Sequence, residues 1–420
     1  MKMKQLPLFL LLLTGGWLAG TSTYAQSTRK QTGLKKGANV SLNITDAKKQ
    51  PPSTFFNIGL LSSFPDLNGF SLNVVSSLNH YDSKGLQLSG LVNITGIDAG
   101  GVHIAGLANI AGRNSYGLTL GGLVNVSGIT TRGLAISALG NISGGNMSGM
   151  GVSGLLNISN GKMNGFQVAG LANVTRKEQR GIALAGALNL TADTLRGGQM
   201  ALLMNIVGKT SKGVQLAALS NLAVGNSGLQ LSAANYTETN QGLQLGLINF
   251  SACTHRGWQV GLLNMSNDSI STNQLGLFNL NPRTHIQMVA GAGNLNIASL
   301  SVRFKNRFSY TEIGGGFYPL GVDREFSVSA FYRMGVFCTL FRRVELAADA
   351  GFYHIEALNN KHDVDCPERL YAFQPRINLT YYPNRKFGFF AAGGYSWTRY
   401  YNRNRTFDHQ PTFEAGFVLF

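Results

Sequence analysis

The chain has 420 residues, enough for more than one domain. Its cysteines, Cys253, Cys338 and Cys366, are three in number and scattered, which excludes a disulfide framework. The formal charge of +16 is spread over linker, turns and loops, and points to anionic partners such as lipopolysaccharide, other anionic envelope polymers or phospholipid heads.

Residues 1–25 read as a secretory signal. Lys2 and Lys4 give a charged start, Leu8 to Leu13 an apolar core, and Thr23-Tyr24-Ala25 a small-residue cleavage site before Gln26. The apolar run is too short to cross a bilayer as a helix. Gln26 is not a cysteine, so no lipoprotein anchor is expected. Residues 26–52 carry Arg29, Lys30, Lys35, Lys36, Lys48, Lys49 and Pro51-Pro52 and read as a basic linker. Export argues against nucleic acid as its partner. Residues 53–68 are expected to cap the array that follows.

From Gly69 to about Asn279 the chain repeats. Units open at Gly69, Gly85, Gly101, Gly117, Gly133, Gly149, Gly165, Gly181, Gly197 and Gly213, each step 16 residues. Later copies open at Gly228, Gly242 and Gly257, with Asn273 as the last equivalent, in steps of 14 to 16. A short fixed period marks a stacked array. The clearest copy is Gly85-Leu-Gln-Leu-Ser-Gly-Leu-Val-Asn93. Positions one and three after the glycine are apolar, a strand-like alternation. Position six is nearly always Leu (Leu91, Leu107, Leu123, Leu139, Leu155, Leu171). Position eight is Asn: Asn93, Asn109, Asn125, Asn141, Asn157, Asn173, Asn189, Asn205 and Asn221. A polar tail such as Arg176-Lys177-Glu178-Gln179-Arg180 closes the unit as a turn.

Two arrangements fit this pattern. In a parallel β-solenoid each unit is one coil and identical residues stack about 4.8 Å apart. The leucines are then expected to fill the core and the asparagines to bond into a structural ladder. In the rival arrangement each unit is one strand of an antiparallel sheet or barrel. The copies at Gly228, Gly242 and Gly257 lose one residue before the Asn. Within a flat strand that would flip the Asn to the other face, whereas a corner absorbs it. The repeats also lack aromatic girdles. The solenoid is preferred, over residues 53–282.

Residues 283–420 differ in composition, with more aromatics, more Arg and longer alternating runs. Eight strands are predicted at 284–293, 295–305, 307–318, 325–340, 343–357, 369–382, 386–401 and 411–420. Alternating faces, such as Val344, Leu346, Ala348, Ala350 and Phe352 against Glu345, Ala347, Asp349 and Gly351, suit a small antiparallel transmembrane β-barrel. Its narrow lumen is expected to hold an ion-pair network of Arg333, Glu345, Asp349 and Arg376, with Glu312 a further member. Short connections fall around Asn306, Arg342 and Asn384, and long ones at 358–368 and 402–410. Glu414 shares parity with Phe420, and Pro375 interrupts the sixth strand, so both strain the expected register.

The sequence shows no catalytic constellation, cofactor site or metal site. The loop His362-Asp-Val-Asp-Cys366-Pro-Glu368 reads as solvated, without a second ligand set. A polysaccharide-acting enzyme on a β-helix would need carboxylates clustered on one face, and the repeats carry almost none. The repeat resembles the Gly-Leu-x-Leu-Gly-Leu-x-Asn surface repeats of bacterial envelope proteins. The run Phe413 to Phe420 resembles the closing strand of outer-membrane barrels. The resemblance implies a non-enzymatic Gram-negative outer-membrane protein, partnered by outer-membrane lipid, with repeats facing the periplasm or the cell surface as scaffold or binding surface. The alternative is a channel or transporter in which repeats and terminal strands form one large barrel.

Overall fold

The structure, a computed structural model, describes residues 36–37, 53–267, 271–319, 327–357, 369–401 and 406–420. The expected signal, most of the linker, and the loop 358–368 with Cys366 lie outside these residues. All regular structure among the described residues is strand. It forms a parallel β-solenoid of about 14 turns followed by a closed antiparallel barrel of eight strands. The chain divides into two compact units, residues 1–238 and 239–420. The first holds stacked coils. The second opens with the last coils and runs on into the barrel.

The coil opened by Gly117 shows the plan. A strand over Asn114–Gly121 leads to a corner, and a second strand over Val124–Ser127 leads to the next. The register is parallel, and identical positions stack. Gly117 lies beside Gly101 and Gly133, and Asn125 beside Asn109 and Asn141. This register decides between the two arrangements that the repeat allowed.

Alternation fails at the opening glycine. Ser115 and Thr119 are buried, yet Gly117 midway between them is exposed, so the chain turns a third corner there. Gly117 has φ of 99°, and a Cβ on it would lie 2.2 Å from the carbonyl oxygen of Gly101. Left-handed backbone and close stacking both demand glycine. Each coil thus has three flat runs and three corners.

The leucines do not fill the interior. Position-six Leu107 is 39 % exposed and Leu171 48 % exposed. The buried positions are two, four, eight, ten and fourteen, carrying residues such as Gln87, Ser89, Asn93, Thr95 and Ser115. Neighbours on a strand point to opposite faces, so Asn at position eight and an aliphatic residue at position nine cannot both be core. The amides went inside because they bond to their own copies. The solenoid interior is mainly polar, with Leu67, Met147, Met163 and Leu195 buried at position fourteen, while most aliphatic residues lie outside.

The segment over Ser53–Phe64 is itself a strand paired in parallel with Leu67–Asn79, so it extends the array, and Lys36–Gly37 pair with it in turn. In the second unit Leu243–Ser266 is assigned as one unbroken strand although the coils still stack, with Arg256 at φ 63° inside it. Asn273 aligns with Trp258, one place past the opening glycine, so the last copy starts one residue earlier than expected.

The barrel strands are His285–Gly293, Ala298–Lys305, Ser309–Phe317, Ser327–Phe341, Val344–Ala357, Arg369–Tyr381, Phe387–Tyr400 and Thr406–Leu419. Each pairs with the next, and Gly291 pairs with Gly416 to close the ring of the first and eighth. One large barrel shared with the repeats is therefore not formed. The eighth strand starts earlier than expected, because Asp408 to Gln410 already pair with Ser396 to Thr398. Pro375 sits where the ladder to the seventh strand jumps from Phe373–Trp397 to Arg376–Gly394, so its missing N–H breaks no bond there.

The register puts the connections at 306–308, 342–343 and 382–386, the start of the first strand and Phe420 at one end. Within the second unit the last coils meet the barrel at that end. Ser309 Oγ donates to the Gln274 carbonyl at 2.8 Å, and Trp258 lies edge-on to Phe308. Aromatic residues ring the outer wall at both ends: Phe341, Tyr381, Phe389 and Phe417 at this one, Phe352, Phe373, Trp397 and Tyr401 at the other. Aliphatic side chains such as Val336, Ile377 and Leu379 lie exposed between them.

Candidate functional site

The charged side chains that alternation turns inward meet half-way along the barrel. Arg333 of the fourth strand reaches Glu312 of the third at 3.2 Å and Glu414 of the eighth at 2.8 Å. Its Nε donates to Tyr353 Oη at 2.6 Å. Arg376 of the sixth strand holds Asp349 of the fifth through two bonds, at 2.9 and 3.0 Å, and also contacts Glu414. Arg303 of the second strand grips Glu312 at 2.8 and 2.9 Å. Ser301 and Ser299 donate to Glu312 and Glu414, and Tyr310 to Asp349.

Three guanidiniums face three carboxylates, all nearly inaccessible. Their charges cancel, which a dry lumen requires. Toward the long-loop end Leu295, Tyr318, Phe331, Ile355 and Leu370 form an apolar layer. Toward the short-turn end Val289, Phe390, Ala392 and Val418 form another. The belt lies between these two apolar layers, and each of its three carboxylates accepts several hydrogen bonds. The arrangement locks distant strands together and offers a substrate no spare acid or base.

The structure brings Arg333, Asp349, Arg376 and Glu312 together. It sets Glu345 apart. That residue precedes Asp349 by four positions, about 13 Å along a strand, and pairs with Lys305 at 2.5 Å near the short-turn end. Arg303 and Glu414 are members that the sequence reading missed. Glu414 was judged by its parity with Phe420, but the strand ends at Leu419, so Phe420 says nothing of which way Glu414 points.

The predicted asparagines stack in one file in the first unit. Each Nδ2 donates to the Oδ1 of the next coil, from Asn93 to Asn109 at 2.9 Å through to Asn221 and Asn235 at 3.1 Å. The remaining Nδ2 hydrogen goes to a backbone carbonyl of that next coil, as from Asn157 to Val168 at 2.8 Å. In the second unit Asn249, Asn264 and Asn279 continue the pattern at 2.8 and 2.7 Å. A second file was not foreseen. Gln230 donates to Gln215 at 3.0 Å and Gln274 to Gln259 at 2.8 Å, each toward the preceding coil. Its signal was the glutamine recurring at position two from Gln199 onward.

Among the described residues no group of three or more His, Cys, Asp or Glu stands where it could hold a metal ion. Compared with family models, curated proteins and solved structures, the chain matches none of them.

Proposed function

We propose that this chain is a non-enzymatic outer-membrane protein of a Gram-negative envelope, in which the barrel is a closed anchor and the repeat array a scaffold or binding surface. The observation that carries the reading is the filled lumen: an electroneutral belt of ion pairs between two apolar layers. The apolar outer wall with aromatic belts at both ends suits a bilayer. The export signal expected over residues 1–25 belongs to the same reading. Short turns face the periplasm in such barrels. The last coils join at the short-turn end, which favours a periplasmic array over a surface one.

The test is the conductance of the purified full chain in planar bilayers. The anchor reading expects insertion without discrete channel events. Stable unit channels that persist in the full chain would move the protein to the transport class.

A further inference from the structure

The outer surface of the first unit sorts its residues by face. Number each coil from its opening glycine. One flat run precedes the glycine, a second spans positions one to four, and a third spans positions seven to ten. Between residues 53 and 238 there are ten basic and six acidic side chains. All but Glu238, at position ten of a shortened coil, fall between position eleven and the next glycine, on the first run and the corner leading to it. They include Arg132, Lys162, Glu178, Arg180, Arg196 and Lys212. There Glu178 gathers Lys162, Arg180 and Arg196. The outward positions of the other two runs, and the corner between them, carry aliphatic residues coil after coil. Leu139, Leu155, Ile110, Ile136 and Ile182 are among those with more than a third of their surface exposed.

The interior makes this exposure consequential. A water-soluble fold is stabilised chiefly by burying its aliphatic residues. Here the amides are bonded inside and the aliphatic surface faces out, the distribution that membrane barrels show. Such a coil gains little from burial in water. Something apolar has to cover two of its three faces.

We propose that the repeat array lies in the plane of a bilayer leaflet, with its two aliphatic faces among the acyl chains and its basic face at anionic headgroups. The occupant is lipid rather than a second copy, because the aliphatic surface continues round a corner and looks in two directions. A flat face of a partner could cover one of them. Acyl chains cover both. Each aliphatic run is about four residues, roughly 13 Å, across, and one leaflet of hydrocarbon is about 15 Å deep. The excess of basic side chains on the third face suits headgroup contact, as on amphipathic interfacial helices. The inference extends the envelope reading above, since it needs a membrane beside the array, but it does not depend on the barrel being closed.

The test is site-directed spin labelling of the full chain in vesicles of phosphatidylethanolamine and phosphatidylglycerol. The three native cysteines are replaced by serine, and single cysteines are placed one at a time. Leu107→Cys, Leu139→Cys and Ile136→Cys probe the aliphatic faces, Arg132→Cys and Arg196→Cys the basic face, and Ile377→Cys the barrel wall. The expected result is that labels on the aliphatic faces relax several-fold more with oxygen than with a water-soluble nickel chelate, as does the barrel label. Labels on the basic face should show the reverse. Aliphatic-face labels open to the nickel chelate, beside a lipid-exposed barrel label, overturn the inference and leave the barrel reading standing. Aliphatic-face labels shielded from both reagents overturn it in favour of contact between copies. A barrel label open to the nickel chelate overturns the membrane reading of the barrel instead.

Discussion

The solenoid and the barrel meet the same problem in two ways. Both bury many polar groups, and buried polar groups must find partners. The barrel uses opposite charges and the solenoid uses amides. The difference follows from repetition. Stacked coils bring identical side chains face to face, and identical charges so placed repel. A carboxamide both donates and accepts, so it can pair with a copy of itself indefinitely. The barrel's eight strands differ from one another, so an Arg on one can meet a carboxylate on another. Self-pairing groups serve a repeated element, and complementary groups serve a unique one.

The comparison breaks first at Arg376. Arg376→Ala removes two of the three hydrogen bonds that Asp349 accepts and leaves Glu414 short of a cation, both deep in the barrel. The expected loss is about 3–5 kcal/mol of barrel stability. It should appear as a large fall in the temperature at which the folded form is lost on a semi-native gel. Arg369→Ala removes an exposed partner of Glu356 on the same strand, and should change that temperature little. Equal effects from the two would mean that the belt does not hold the barrel.

The solenoid should be hurt less, because its pairs are neutral. Asn157→Ala adds no charge and removes both amide hydrogens, so Asn173 Oδ1 and the Val168 carbonyl lose their donor. Each buried group left without a partner costs about 1–3 kcal/mol. Hydrogen exchange followed by mass spectrometry should show faster exchange in the coils around residue 157, with barrel peptides unchanged. Unchanged protection in those coils would show that the ladder is decorative.

The ladder was legible in the sequence and the core was not, for one reason. Period alone identified Asn157 and its equivalents, because stacking puts equal positions together whatever faces inward. Inside and outside were then assigned by the habit that leucine is core. The strand alternation from Asn157 to Ile158 already contradicted that, since both could not be buried. In the barrel, Arg333, Asp349 and Arg376 were readable from parity, because each lies well inside its strand. Glu345 and Glu414 were not, because their places depend on how far along a strand each sits and where the last one stops.

Glycine at the corner gives a sharper, smaller contrast. Gly149 has φ of 114°, and a Cβ there would meet the Gly133 carbonyl oxygen at 2.2 Å. Gly149→Ala should cost about 1–3 kcal/mol through backbone strain and loosen the two adjoining coils in hydrogen exchange. Gly198 stands one place past the opening glycine, and a Cβ there meets only Ile182 Cγ1 at 3.8 Å. Gly198→Ala should be neutral or mildly stabilising. If Gly149→Ala is equally silent, the stacking distance is not what selects glycine.

The smallest effect is expected where a titratable group sits among the neutral polar side chains of the coil interior. His103 occupies position two, where the preceding coil has Gln87, and is 2 % exposed. Burial holds its imidazole below the usual 6.5, against a weaker opposing pull from the Gly100 carbonyl. The unfolded chain titrates near 6.5. Above that pH both states are neutral and stability is full. As pH falls through 6.5 toward the folded value, unfolding takes up a proton that the folded coil refuses, so stability declines. Protection of the coils around residue 103 should therefore fall between pH 7.5 and 5.5, after correction for intrinsic exchange. His103→Gln should abolish most of that fall, because a glutamine carries no proton to gain. A fall that persists undiminished in His103→Gln would place the pH sensitivity on the carboxylates of the charged face, and would leave the amide interior as indifferent to acid as its neutral chemistry suggests.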